Sequence, residues 1–275
     1  MFREIKNRYI RYITIFVFFI IIFFCALQLN FLWLFGYSPK YADIKKPAQQ
    51  VGSELYTADG KLIGRYFKEN RTPVDYNEIA PSIINALVAT EDIRFYKHSG
   101  IDVLALGRAV AGMGKDGGAS TITQQLAKNL YRTRYSKSSG LIKHVPGIRT
   151  IVSKLKEWMT ALKLESNYSK NDIITMYLNT VSFGNNAYGI KTASRIYFDK
   201  DAKSLTINEA ALLVGMLKGT SLYDPLKNPD RAIDRRNTVL RQMNIYNYLG
   251  LDSLSLLSKL PLQLREGKLS DSGNG

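Results

Sequence analysis

Glu91 is the residue of this sequence whose type and place most directly suggest chemistry. It stands in "ATEDIRFYKHSG" (89–100), three residues after Val88 and four after Leu87. With Ile84 and Phe95 these mark the apolar stripe of a helix entered at Pro81, so Glu91 points the same way as the stripe. A carboxylate facing a core is costly when ionised, so it is either paired or holds its proton tightly. Beside a cleft, the second case describes a general acid or base. The first describes a salt bridge, for which Arg108 on the next helix is a candidate partner.

Two further stretches offer compatible groups. "GGASTITQQLAKN" (117–129) puts Gln125, Lys128 and Asn129 on one helical face beside a Gly-rich loop, with Thr121 as the cap. Such a polar, cationic face suits a phosphate or a sugar, and equally an ordinary solvated surface. "RTIVSKLKEWMTALKLE" (149–165) sets an apolar stripe of Ile151, Leu155, Trp158, Met159 and Leu162 against another face with Lys154, Glu157 and Ala161. Glu157 is a candidate second carboxylate, or the ion-pair partner of Lys154 or Lys156. "SKLK" (153–156) has the S-x-x-K form of a serine nucleophile, but no S-x-N or K-T-G accompanies it in a fitting arrangement, and that reading is set aside.

Positioning these groups takes one sizeable domain plus appendages, which 275 residues allow. The single Cys25 excludes an intrachain disulfide framework. Residues 13–35 are almost wholly apolar and uncharged, and about 20 such residues span a bilayer core. Arg3, Lys6, Arg8 and Arg11 precede them, which predicts a cytoplasmic N-terminus with the rest of the chain outside. Trp33 and Tyr37 suit the far interface. The run is longer than a signal-peptide core and no A-x-A site follows; the "IFF" before Cys25 lacks the small residues of a lipoprotein site. In this topology the net charge of +15 meets anionic lipid headgroups or an anionic substrate, not nucleic acid.

Residues 1–37 thus form a basic tail and transmembrane helix, and 38–50 a linker. "SELYTADGKLIGRYF" (53–67) reads as a hairpin turning at Asp59-Gly60. "TITQ" (121–124), "SKND" (169–172) and "TINE" (206–209) fit the capping-box pattern, and Gly219 fits a helix stop. Asn228-Pro229 precedes a last long helix, about 230–248. Residues 112–120 are Gly-rich and expected to be mobile, and 132–147 carry no helical period. The segment 107–118, with Val110 and Met113, is a candidate for dipping into a membrane interface. The sum is a mainly α domain over 51–245 with a small β-hairpin, followed by a linker or tail at 246–275.

Five ordered stretches change the weight of these signals: "EDIRFYKHSGID", "GGASTITQQLAKNL", "KLKEWMTALKLE", "IITMYLNTVSFGNNAYGIKTASRIYFDK" and "LTINEAALLVGMLKGTSLYDPLKNPDRAIDRRNTVLRQM". Together they resemble the signature motifs of the peptidoglycan glycosyltransferases, family 51. That family comprises the glycosyltransferase domains of class A penicillin-binding proteins and the monofunctional transglycosylases. The resemblance covers about residues 50–245. It departs from the family pattern at Thr175, where Glu is usual, and at Ser153, where a basic residue is common. It departs again in "LKGTSLYDP", which lacks the usual proline.

The resemblance implies a lysozyme-like helical fold on a membrane anchor at the bacterial cytoplasmic membrane, with the catalytic domain on the outer side. It implies an enzyme that polymerises lipid II into glycan strands by inverting transfer, releasing undecaprenyl pyrophosphate. By motif position Glu91 matches the catalytic glutamate and Glu157 a second functional one. Ser120, Gln125, Lys128, Asn129 and Arg149 match donor-site positions, and Arg108 an arginine of the same cleft. Glu91 would take the proton of an acceptor sugar 4-hydroxyl. Lys128 and Arg149 would steady the leaving pyrophosphate, with no cofactor required beyond a possible divalent Mg or Mn. The implied partners are lipid II, the growing glycan, the membrane and other cell-wall synthesis proteins. The 275 residues hold no match to a transpeptidase domain. The competing enzyme class is a lytic transglycosylase or lysozyme, which cleaves finished glycan and has no pyrophosphate to hold.

Overall fold

The computed structural model describes residues 2–28, 39, 44, 53–57, 62–66, 72–112, 118, 120–131 and 146–265. Helix α1 spans Phe2–Gln28, and strands β1 (Ser53–Tyr56) and β2 (Leu62–Tyr66) pair antiparallel, Glu54 opposite Arg65. Then follow α2 (Pro81–Glu91), α3 (Val103–Ala111), α4 (Ile122–Tyr131), α5 (Pro146–Glu165) and α6 (Lys170–Thr180). The last are α7 (Ile190–Phe198), α8 (Ile207–Met216), α9 (Pro229–Ile245) and α10 (Leu251–Ser258). The architecture is mainly helical. The hairpin turn Asp59-Gly60, Trp33, Tyr37, Met113, residues 132–145, the tail 266–275 and most of the 38–50 linker lie outside the described residues.

The helices form where local signals ask for them. Ser169 caps α6 and Thr206 caps α8, each in a reciprocal capping box with Asp172 and Glu209. Pro81 and Pro229 open α2 and α9, where a missing N–H costs nothing. Helix α8 is buried on every side, from Ala210 through Met216, and forms the centre of the domain. Against it pack α2 and α9, while α4 packs on α5 and α6. The segment 246–265 continues the domain: α10 packs on α9, Leu254 and Leu257 reach the core, and Arg265 N donates to Tyr197 O.

Helix α5 corrects the reading of its stripe. Ile151 is 60 % exposed and Leu162 47 %, while Val152, Ser153, Lys156, Glu157, Thr160, Ala161 and Leu164 are buried. The helix thus turns its more polar face inward. Leu155, Met159 and Ala26 of α1 instead pack against Val152. Along α1 the side chains from Tyr9 to Phe23 are exposed and mostly apolar. Among the described residues no helix is long and apolar enough to cross a membrane.

One close approach in this part of the fold requires glycine. Gly189 has φ +83°, and a Cβ there would stand 2.9 Å from Asn179 O. Asn179 in turn holds Val74, its Oδ1 accepting from Val74 N at 3.0 Å and its Nδ2 donating to Val74 O at 2.9 Å. Gly189→Ala is therefore expected to destabilise the fold by about 1–3 kcal/mol. A denaturant midpoint measured with unchanged slope checks this, and an unaltered midpoint would contradict it.

Candidate active site

Glu91 is the last residue of α2 and is half-buried rather than sunk in the core. It opens onto a cleft of about 360 Å³ that Arg108, Ser120, Gln125, Lys218, Arg235 and Gln242 help to line. Gln125 Nε2 donates to Glu91 Oε2 at 2.9 Å. Gln125 Oε1 accepts from the Tyr177 hydroxyl at 3.0 Å. Among the described residues no ion pair joins Glu91 to Arg108, so the carboxylate is held by a neutral amide.

The segment after Glu91 is clamped on several sides. Asp92 is buried and accepts from Ile122 N at 3.0 Å, which ties the end of α2 to the start of α4. His98 Nδ1 accepts from Gly100 N, so its Nε2 carries the proton and donates to Asp92 at 3.0 Å. Gly100 has φ +90°, and a Cβ there would lie 3.0 Å from the Ala161 backbone. Its carbonyl accepts from Thr121 Oγ1 and Gln124 Nε2. Thr121 Oγ1 also accepts from Gln124 N and so caps α4. Lys170 Nζ donates to His98 O at 2.6 Å and to Glu165 at 2.8 Å, and sits 4.3 Å over the buried Phe95 ring.

Asp102 accepts from Ala105 N, capping α3, and pairs with Arg94. Burial alone would raise its carboxyl, but the Ala105 N–H and the Arg94 guanidinium together hold it below the usual carboxylate range. Asp92, His98 and Asp102 stand close enough to hold a metal ion. Their lone pairs are already engaged by Ile122 N, Gly100 N, Ala105 N and Arg94. The donor set does not fit a metal without breaking the clamp.

Lys154 reaches the cleft through Ser120, which lines it. Its Nζ donates to Ser120 Oγ at 2.7 Å and pairs with the buried Glu157 at 3.1 Å. The two readings of Glu157 therefore meet: it is an ion-pair partner, and the pair reaches a cleft-lining serine. Next to it Lys156 is buried, and desolvation lowers its ammonium to about 8.

Of the residues singled out from the sequence, Glu91, Arg108, Ser120 and Gln125 line one cleft, and Glu157 reaches it through Lys154. Lys128 and Asn129 lie one turn further along α4, part-buried and outside the cleft lining. The Arg149 side chain lies outside the described residues. Sequence reasoning missed Tyr177 and the cleft-lining residues Lys218, Arg235, Thr238, Gln242 and Tyr246. The spacing 235, 238, 242 was a legible signal, since it marks one face of a long helix. Helix α9 comes close to α8 at Gly215, where a Cβ would stand 3.1 Å from Arg235 Cγ.

Comparison with known proteins adds the following. The model of the Transglycosylase family matches residues 59–244. Penicillin-binding protein 1F of Bacillus subtilis is 41% identical over 212 residues, which are 75% of this chain and 28% of that protein. Penicillin-binding protein 1A of Escherichia coli is 38% identical over 215 residues, 77% of this chain and 24% of that protein. Penicillin-binding protein 1A of Aquifex aeolicus is 38% identical over 232 residues, 83% of this chain and 30% of that protein. The chain thus spans roughly a quarter of the length of these curated relatives.

Proposed function

The chain belongs to the transglycosylase family, and from that premise we propose that it polymerises lipid II into glycan strands. The observation that carries the proposal is one cleft lined both by Glu91, a carboxylate bonded only to a neutral amide among the described residues, and by the cations Arg108, Lys218 and Arg235. The Lys154 ammonium adds to them through Ser120. In the proposed step the acceptor 4-hydroxyl gives its proton to Glu91 as its oxygen attacks the donor's anomeric carbon. The bond from that carbon to the pyrophosphate oxygen breaks, and the leaving group departs with the electron pair. Attack from the face opposite the leaving group inverts the anomeric centre. The doubly esterified pyrophosphate carries two negative charges and gains a third as it leaves, so it needs positive charge more than a proton, which suits the cations of the cleft.

The lysozyme-like character of the fold, a place at the bacterial cytoplasmic membrane and an anchor in α1 belong to the same proposal. What supports the anchor is the apolar run at 13–35 and the exposed apolar side chains of α1. Incubation with fluorescent lipid II, and separately with purified cell wall, tests the reading. Polymer formed from lipid II, with undecaprenyl pyrophosphate released, is the expected result. Fragments released from cell wall without polymer from lipid II would overturn it in favour of a lytic enzyme.

A further inference from the structure

We propose that Tyr177 is a positioning residue that, through Gln125, keeps Glu91 in its proton-accepting form. The inference rests on the reading of Glu91 as the base. Tyr177 lies on α6 and is 1 % exposed, and its hydroxyl donates to Gln125 Oε1 at 3.0 Å. The other end of the same amide donates to Glu91 Oε2 at 2.9 Å. Burial, with the negative charge of Glu91 second, pushes the Tyr177 phenol up, so it keeps its proton.

The amide of Gln125 has two orientations, and they demand different states of Glu91. With Nε2 toward Glu91, an N–H meets a carboxylate, which favours the ionised form. With Oε1 toward Glu91, the two acceptors repel unless the carboxyl carries a proton. In that flipped state the Tyr177 hydroxyl would accept from Nε2, and its own hydrogen would be left without a partner in the core. A fully buried donor without an acceptor is unfavourable. Tyr177 therefore selects the first orientation, and with it the ionised carboxylate.

Other charged or titratable groups share the cleft with Glu91: Asp92 and Asp102 on the adjoining segment, Arg108 on α3, Lys218 after α8, and Arg235 and Tyr246 on the α9 side. Tyr177→Phe leaves all of them in place and removes only the hydroxyl. The effect expected is specific to pH. In Y177F the acid limb of kcat/KM for lipid II moves upward, so that activity falls roughly tenfold at the acid end and stays near wild type on the alkaline plateau. Gln125→Ala shifts the limb in the same direction, and the double variant shifts it no further than Q125A alone.

A folded Y177F with an unmoved limb, or with an equal loss at every pH, overturns the proposal. If Y177F does not fold, wild-type protein supplies the test. The side-chain amide nitrogen of Gln125 is expected to shift in step with the Glu91 carboxyl carbon during an NMR titration, and an amide that does not respond also overturns it. Absence of lipid II polymerisation by the wild type would instead count against the functional reading, because the titration needs no substrate.

Discussion

Glu91→Gln is expected to abolish nearly all polymerisation of lipid II, by on the order of 10²–10⁴-fold, while the protein stays folded. The substitution is close to isosteric and Glu91 is half-buried at a helix end, so little packing is lost. What is lost is the carboxylate read as taking the proton from the acceptor hydroxyl; Asp92 and Asp102, which share the cleft, stay engaged with His98, Ile122 N, Ala105 N and Arg94. Gln125 can still hydrogen-bond the new amide through one of its two ends. Clamp residues such as Asp92 and His98 do not touch Glu91's carboxylate, and their bonds persist. A folded E91Q that keeps more than a tenth of wild-type rate would remove Glu91 from the role of base.

Lys154→Ala is expected to lower kcat/KM for lipid II by about 10–100-fold, the equivalent of losing one charge-assisted contact of roughly 1.5–3 kcal/mol. Its Nζ stands 2.7 Å from Ser120 Oγ at the cleft and 3.1 Å from the buried Glu157. The ammonium is part-exposed, so it remains available to an anionic ligand. Lys154→Arg keeps the charge and should recover part of the loss. The acid limb of the pH profile should stay where it is, because the Tyr177, Gln125 and Glu91 bonds do not involve Lys154. Unchanged kcat/KM in K154A would place the leaving group's charge elsewhere.

Helix α5 shows how the inward faces came to be misread. Its apolar residues are spaced as a stripe, and a stripe ordinarily marks the core side. Here the inward side packs on α4, which presents Thr123, Gln124 and the cleft, so Ser153, Lys156 and Glu157 go in and Ile151 stays out. Periodicity reports that a helix is two-sided. Which side is covered depends on what the neighbouring element offers.

The sequence by itself determined several helix starts, because caps and prolines act over a few residues, while the helix Leu251–Ser258 lay in what read as a linker or tail. Ser169, Thr206, Pro81 and Pro229 sit where those short-range rules place them. It also singled out Glu91 and Gln125, since a carboxylate on an apolar stripe and an amide on a capped helix face are local anomalies. Only the tertiary structure decided that Gln125 reaches Glu91, 34 residues earlier, and takes its orientation from Tyr177, 52 residues later. It alone brought Arg235 and Gln242 of α9 into the cleft that Glu91 lines. A hydrogen bond requires its partners within about 3 Å, and nothing short-range in the chain sets a distance between residues on different helices. The packing of α4 on α5 and α6, of α2 and α9 on α8, and the Asp92–Ile122 bond that ties α4 to α2 set it, and those are properties of the tertiary structure.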